Sequence, residues 1–466
     1  MNLKQKLNRI DVLKKIKEFI AGKEEEIYIV GGFVRDLILE KEKKEIDFLI
    51  VGDGPKFAEE LAAFLGVNQV TIFKNFGTAH FVYNDYDFEF VGARKESYSK
   101  ESRNPTVQSA SLEEDLRRRD FTINTLAVNL SKQNYGEVID IFDGITDIKN
   151  KIIRTPVDPN ITFNDDPLRI MRAFRFAAQL QFEVDVKIIS ASEKLAERLA
   201  IVAQERITEE FLKILSSSKP SIGLNLLYRS KVLDIVFPEI SNLAGVDQRK
   251  DHHHKDVLLH TFQVVDNISE ATGNLWLRFT ALVHDIAKPH TKRFDENVGW
   301  TFHGHEELGA RMMKDIFQRL KLPFQKLGYV EKLIRLHLRP IALVDEIVTD
   351  SAIRRLIVQA GEDLEDLIIL CRADITSKNP KKVNRYLKNY EMVMQKVRDV
   401  EEKDKLRAFQ SPVRGDEIMK ICNIPPSKKV GEIKTAIEEA ILEGIIKNEY
   451  EDALAYLHKI KDDYLK

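Results

Sequence analysis

The sequence predicts a multidomain protein, with an α/β domain over the first 150 residues and all-α structure after it. Three observations carry this. Short apolar runs separated by turn residues alternate with one clear helical pattern up to residue 150. After Pro156 the strand signals thin out, and apolar residues recur at three-and-four spacing. The chain has 466 residues, too many for one core, so three or four domains are expected.

In order, an amphipathic helix is predicted over Leu7 to Ile20, then strands near Ile27, Ile46, Gln69, His80 and Phe88. A helix, Lys56 to Leu65, falls between the second and third strands. Arg94 to Ser111 is rich in Lys, Ser, Arg and Asn and poor in apolar residues, so it is expected to be a mobile loop. Helical spacing follows in Leu168 to Leu180, Ile188 to Leu199, Thr208 to Leu215 and Ile222 to Leu227. Breaks near Pro238 to Asp251 and Asn379 to Lys382 suggest boundaries.

Composition narrows the class. Hydrophobic content of 43% and charged content of 31% suit a globular protein. No run of eighteen apolar residues is present, and Met1-Asn-Leu-Lys-Gln-Lys has no signal-peptide core, so no membrane association is expected. Cys371 and Cys422 give neither zinc spacing nor a disulfide framework, which fits a cytoplasmic protein. A net charge of −2 means that any nucleic-acid surface is a local patch. No obligate protein partner is indicated.

The most informative stretch is Tyr28-Ile-Val-Gly-Gly-Phe-Val-Arg-Asp36, followed by Glu45-Ile-Asp47. A strand ends at Gly31-Gly32, where the backbone can approach a phosphate at the start of the next helix. Arg35, one turn in, can reach triphosphate oxygens. Glu45 and Asp47 lie two apart on the second strand, so both carboxylates face one side and can share metal ions. Glu89, in Asp87-Phe-Glu-Phe90, is a third carboxylate for that site.

This pattern resembles the head of the class II tRNA nucleotidyltransferases and bacterial poly(A) polymerases, of the polymerase-β superfamily. Arg117-Arg-Arg-Asp-Phe-Thr-Ile-Asn124 is similar to the family's arginine-aspartate motif, which assigns nucleotide binding to Arg119 and Asp120. Asp165-Asp-Pro-Leu-Arg-Ile-Met-Arg172 is similar to its base-selecting segment. Asp166 and Arg169, three apart, are expected on one helical face, reading the Watson-Crick edges of cytosine and adenine, with Arg172 reaching phosphate. Glu205-Arg-Ile-Thr-Glu-Glu210 resembles the neck helix. The family's metal pair is normally Asp-x-Asp, so Glu45 is a departure, one methylene longer but still a hard oxygen ligand for magnesium.

A second constellation comprises His260-Thr-Phe-Gln-Val-Val-Asp266, Leu282-Val-His-Asp-Ile-Ala-Lys288 and His303-Gly-His-Glu306. Adjacent His284 and Asp285 in an apolar helix must be paired or metal-bound. The pattern resembles the His-Asp (HD) metal phosphohydrolases. That resemblance implies His260, His284, Asp285 and Asp374 as ligands, with His305 and His337 for a second metal. Manganese, iron, nickel and zinc all suit this donor set. His252-His-His254 is expected to be a polar loop. From Lys378 to Arg398 a basic helix with Tyr386 and Tyr390 suits RNA contact, through Lys381, Lys382, Arg385 and Lys388. Ser411 to Asn448 resembles the family's terminal helical module.

The resemblance implies a nucleotidyltransferase head (1–150), a helical neck (151–240), an HD domain (241–378) and a helical tail (379–466). The expected reaction is template-independent addition of CMP and AMP to the 3′ end of tRNA, giving CCA, with magnesium in the head and ATP, CTP and tRNA as partners. Alternatives are a poly(A) polymerase, an A-only or CC-only enzyme, or, in another class, an HD phosphohydrolase whose head only binds nucleotides or RNA. Lys74-Asn-Phe-Gly-Thr-Ala-His80 is closer to CCA-adding enzymes than to the Gly-basic-basic-Phe motif of poly(A) polymerases.

Overall fold

The computed structural model describes all residues except 74–76, 100–101, 247–255, 298, 346–348, 378, 405–410 and 466. Within these limits the chain forms two compact units, residues 1–242 with 319–322, and residues 243–318 with 323–466. The segment His252 to His254 and the start of Lys74 to His80 lie outside the described residues.

The first unit is built on a seven-stranded mixed sheet of order β3-β4-β5-β2-β1-β8-β9. Its strands are β1 (Ile27–Val30), β2 (Glu45–Ile50), β3 (Thr71–Phe73), β4 (Thr78–Tyr83), β5 (Tyr86–Gly92), β8 (Ala127–Asn129) and β9 (Val138–Ile139). The predicted first helix is broken; its main part, α1, spans Asp11–Ile20, after a short turn of helix at Lys4–Leu7. Between β1 and β2 lies α2 (Gly32–Ile38), and between β2 and β3 lies α3 (Gly54–Leu65). Asp53 caps α3 by accepting from the Lys56 amide. A Cβ on Gly54 would sit 2.7 Å from the Val91 and Gly92 backbone, so only glycine lets α3 start this close to the sheet.

Alternation along the strands separates the two faces of the sheet. Phe48, Phe81, Phe88 and Phe90 are buried together, and Phe57 of α3 meets Phe90 at 6.0 Å. The opposite face carries Glu45 and Asp47, beside an apolar floor of Val30, Leu49 and Leu116. The expected loop Arg94 to Ser111 is instead a hairpin, β6 (Arg94–Ser99) with β7 (Ser102–Ser109), because backbone pairing does not require an apolar face. After α4 (Leu112–Arg117), opened by a Ser111/Glu114 capping box, the first unit continues with α5 (Pro159–Asp165), α6 (Leu168–Leu180) and α7 (Gln204–Leu215).

The second unit is helical. It contains α8 (Val257–Ala271), α9 (Leu275–Val283), a two-stranded hairpin of β10 (Arg293–Asp295) and β11 (Gly299–Thr301), then α10 (His305–Arg319) and α11 (Leu327–Leu336). Later helices include α12 (Leu364–Ala373), α13 (Pro380–Asp404), α14 (Lys428–Leu442) and α15 (Tyr450–Leu465). Among the described residues no helix is long and apolar enough to cross a membrane.

Candidate functional site

A cleft of about 1060 Å³ opens in the first unit. It brings together Gly31, Gly32, Arg35, Glu45, Asp47, Glu89, Arg119, Asp120, Asp166, Arg169 and Arg172. Parallel pairing of β2 with β5 sets Asp47 opposite Glu89 and Glu45 opposite Asp87, so the carboxylates share one face across two strands. Burial pushes the carboxyls of both Asp47 and Glu89 up, and Asp47 raises Glu89 further. Glu45 is more exposed and pairs with Lys43 at 3.0 Å. Three carboxylates on one face of the sheet, with Asp47 half-buried between the more exposed Glu45 and Glu89, are a set of oxygen donors that fits a hard divalent ion.

Gly31 has φ +75°, and a Cβ there would lie 3.2 Å from Arg119 Nη1 and 3.4 Å from Asp47 Oδ2. The backbone conformation therefore favours glycine, and a side chain there would press on the ends of Arg119 and Asp47. Arg35 is buried rather than free to swing: it donates to Asp36 at 2.9 and 2.8 Å and to Asn124 at 2.8 Å. Its guanidinium also lies 5.0 Å from the Phe176 ring.

The three consecutive arginines divide as helix geometry requires. Arg118 and Arg119 both donate to the fully buried Asp115, with contacts of 2.5 and 3.0 Å, while Arg117 is exposed. Asp115 opposes burial through these two charges and stays below its ordinary range. Asp120 accepts from Arg172 at 2.6 and 2.8 Å and from Asn124 at 3.0 Å. Burial acts to raise the Asp120 carboxyl, yet Arg172 and Asn124 pull it down to about 2.

Two expectations about the base-selecting segment need correction. Asp166 and Arg169 do not share a helical face: Asp166 is extended backbone ahead of α6, where its carboxylate accepts from the Leu168 amide at 3.2 Å. Pro167 causes this, since it disfavours helix in the residue before it. Arg169 is buried and donates to the carbonyls of Arg118 (2.7 Å) and Thr162 (3.4 Å). Arg172, expected to reach phosphate, is bonded to Asp120 instead.

Sequence reasoning missed several members of this cleft. Lys43, Arg118 and Arg175 line it. Arg175 forms a buried ion pair with Glu210 at 3.1 Å. His80 contacts Asp87 beside the carboxylates. Asp115 was findable, since it precedes Arg118 and Arg119 by three and four residues on a helix.

The second unit holds a separate centre. Among the described residues, two sets of three ligand atoms lie within 4.8 Å of one another: His260, His284 and Asp285, and Asp285, His305 and His337. Asp285 joins them. Its Oδ2 is 3.3 Å from His284 Nε2 and 3.8 Å from His260 Nε2; its Oδ1 is 3.3 Å from His305 Nε2 and 4.0 Å from His337 Nε2. Asp374 Oδ1 stands 2.8 Å from His260 Nε2 and 3.5 Å from His284 Nε2.

The opposite ring nitrogens explain the convergence. Nδ1 of His284, His305 and His337 meets the carbonyls of Ala281, Phe302 and Ile334 at 2.8, 2.7 and 2.6 Å. His260 Nδ1 meets Thr376 Oγ1 at 2.8 Å. A carbonyl accepts only, so Nδ1 of His284, His305 and His337 carries the hydrogen and Nε2 is the nitrogen left to bind a metal; the Thr376 hydroxyl can donate or accept and so orients the His260 ring without fixing its tautomer. His284 Nε2 is buried without hydrogen-bond geometry to any neighbour, the mark of a ligand atom. Burial opposes charge on His284, but Asp285 and Asp374 lift it to about 10, so a metal ion bound here would take the place of the proton on Nε2; His337, buried and near His284, falls to about 4. Lys288 binds Asp285 Oδ2 at 2.6 Å. These four imidazoles and two carboxylates are the residues that would hold metal ions here, and Asp285 belongs to both ligand sets.

In the tail, Lys381, Lys382, Arg385 and Lys388 are exposed on α13, with Arg385 5.3 Å from the Tyr386 ring. Tyr390 is only 3% exposed, so it is a core residue rather than a surface for bases. Lys378 lies outside the described residues.

Comparisons with known proteins agree with this geometry. Family models for the poly A polymerase head domain, the probable RNA and SrmB-binding site of polymerase A, and the HD domain match residues 27–154, 181–243 and 257–379. An A-adding tRNA nucleotidyltransferase of Aquifex aeolicus is 43% identical over 58% of this chain, which spans only 32% of that protein's length. A multifunctional CCA protein of Shewanella frigidimarina is 34% identical over 64% of this chain and 70% of its own. Among solved structures, a CCA-adding enzyme in apo form matches with a TM-score of 0.65 at 21% identity, over 98% of this chain and 97% of that one. A tRNA nucleotidyltransferase complexed with a primer tRNA and an incoming ATP analog matches at 0.58 and 25% identity, over 82% and 99%. The chain belongs to the class II CCA-adding enzyme and poly(A) polymerase family, in the branch that carries an HD domain.

Proposed function

We propose that the chain adds CMP and AMP to the 3′ end of tRNA, using ATP and CTP, in the cytoplasm. The convergence of Glu45, Asp47 and Glu89 with a wall of arginines in one cleft carries this reading. Here residues 1–150 act as the head, 151–240 as the neck, 241–378 as the HD domain and 379–466 as the tail. Lys381, Lys382, Arg385 and Lys388 of the tail contact the tRNA backbone.

Magnesium, when bound, supplies charge stabilisation to the triphosphate; Glu45, Asp47 and Glu89 would hold it. The remaining work belongs to side chains already fixed in place. The tRNA 3′-hydroxyl gives up its proton to solvent as its oxygen bonds to the α-phosphorus, the α–β anhydride breaks, and pyrophosphate leaves. Arg119, held by Asp115 and set against the Gly31 backbone, faces the polyphosphate. Asp166 accepts from the exocyclic amino group of cytosine or adenine. Arg169, already anchored on two carbonyls, donates its remaining N–H groups to the ring edge. Guanine and uracil carry a ring N–H where cytosine and adenine carry an acceptor nitrogen, so neither can take both bonds together.

A second reading, addition of AMP alone, is favoured by the 43% identity to the A-adding Aquifex enzyme. Each labelled NTP, singly and together, with tRNA ending before CCA or after CC, separates the two. CMP incorporation supports the first reading. AMP added only to the CC-ended tRNA supports the second, and no incorporation on either tRNA sinks both.

We further propose that the second unit hydrolyses a phosphodiester near an RNA 3′ end. The four inward Nε2 atoms carry this reading. Manganese, iron, nickel or zinc, when bound there, supplies Lewis acidity at neutral pH. A 2′,3′-cyclic phosphate is the first substrate to try: water adds to phosphorus, one ribose oxygen leaves, and the water's proton goes to that oxygen. Protein purified without chelators that holds no transition metal, and that shows no hydrolysis with added manganese, nickel or zinc, refutes it.

A further inference from the structure

We propose that the β10–β11 hairpin is a stacking platform that seats the single-stranded end of an RNA beside the His-Asp centre. This rests on the phosphohydrolase reading of that centre and adds the part that holds its substrate. Phe294 and Trp300 are direct cross-strand partners, with ring centroids 5.1 Å apart at 73°. They remain 46% and 36% exposed, on a sheet of two strands only. The hairpin therefore displays large aromatic surface instead of burying it. Lys292 Nζ sits 4.3 Å from the centroid of the Trp300 ring.

Both ends of the hairpin are tied to metal-ligand residues. Before it, the short helix Lys288–Thr291 begins at Lys288, whose ammonium binds Asp285 at 2.6 Å. After it, Phe302 follows directly; its carbonyl meets His305 Nδ1 at 2.7 Å, and Lys288 Nζ lies 5.5 Å from its ring. The charges are ordered along the same path. Lys288, His290, Lys292 and Arg293 lie at the base, toward the centre, whereas Asp295 and Glu296 lie toward the tip. Aromatic faces stack bases of any sequence, and cations between them take the phosphates. A polarity running from acidic tip to basic base directs the RNA backbone toward the centre.

The test uses the full-length protein loaded with manganese and a short single-stranded RNA ending in a 2′,3′-cyclic phosphate. The chain has two tryptophans, and the other, Trp276, packs against Phe279 and Phe317 at 5.9 and 6.1 Å. Quenching of fluorescence by the RNA that is present in wild type and absent in Trp300→Leu is thus a signal from Trp300. Trp300→Leu should weaken RNA binding about tenfold and raise KM for the cyclic-phosphate RNA by a similar factor. Trp300→Phe should restore most of both. Bound manganese and hydrolysis of ethylene phosphate, a cyclic diester with no aromatic ring to stack, should be unchanged in both variants. Equal loss toward the RNA and the small diester would assign Trp300 a merely structural role and overturn the proposal. So would unchanged quenching and KM in Trp300→Leu. Because quenching needs no turnover, it answers even if the centre hydrolyses nothing, in which case only the phosphohydrolase reading fails.

Discussion

Asp120→Asn removes one negative charge from the first unit while keeping size and shape. In the wild type, Asp120 accepts two hydrogen bonds from Arg172, one from Asn124 and one from the Phe121 amide. A carboxyl held at about 2 rather than at 3.8 favours its ionised form in the folded state by about 2.4 kcal/mol. Asp120 is buried, but the Arg172 side chain is 33% exposed, so water recovers part of the loss on that side. A cost of about 2–3 kcal/mol results, below the 3–5 typical of a fully buried pair. The sign follows from the depressed value. The contribution is fully present above 3.8 and is lost as pH falls toward 2, so wild type and Asp120→Asn should differ by a constant amount at neutral pH and converge in acid. Hydrogen exchange of the amides from Phe121 to Asn129 measures this locally, and protection should drop about 50-fold at pH 7. A double-mutant cycle with Arg172→Gln should show coupling above about 1 kcal/mol. Coupling near zero, or an unchanged difference at pH 2, would refute the argument that this pair fastens the arginine motif to the neck helix.

Four further outcomes follow from the same geometry. Asp47→Asn should abolish nucleotide incorporation yet raise the melting temperature of magnesium-free protein at neutral pH. Burial has pushed the Asp47 carboxyl up, so its stabilising protonated form is lost as pH rises; a fall in melting temperature, read by calorimetry, would contradict this. Glu45→Asp should leave activity at or above wild type, because Asp is the usual family residue; steady-state kinetics with CTP and ATP check it. Asp166→Ala should relax discrimination among the four NTPs, each lost hydrogen bond amounting to roughly 1–3 kcal/mol, and unchanged relative kcat/KM values would end the template reading. Asp285→Ala should lose bound transition metal, measured by elemental analysis, and all phosphodiesterase activity, with nucleotide addition intact, since one carboxylate faces both halves of the centre.

The sequence by itself determined a good deal of this protein. Strand, glycine pair and helix around Tyr28 to Asp36 follow from local pattern, because backbone sterics and period-two burial act over a few residues. The two-apart spacing of Glu45 and Asp47 likewise fixed their shared face. It was also enough to single out His284 and Asp285, since a charged pair in an apolar helix needs a partner. What each side chain touches was decided elsewhere. Parallel pairing of β2 with β5 is a contact across about forty residues, and only it sets Glu89 against Asp47. Asp166 left the helix through its neighbour Pro167, a local signal present in the sequence that helical spacing alone overrides on paper. Arg35, Arg169 and Arg172 were legible as cleft residues, but their partners Asn124, the Arg118 carbonyl and Asp120 come from distant segments brought in by packing. In the same way, the inward aim of four imidazoles depends on which carbonyl or hydroxyl lies behind each ring. That is a property of backbone placement in three dimensions, on which residue type carries no information.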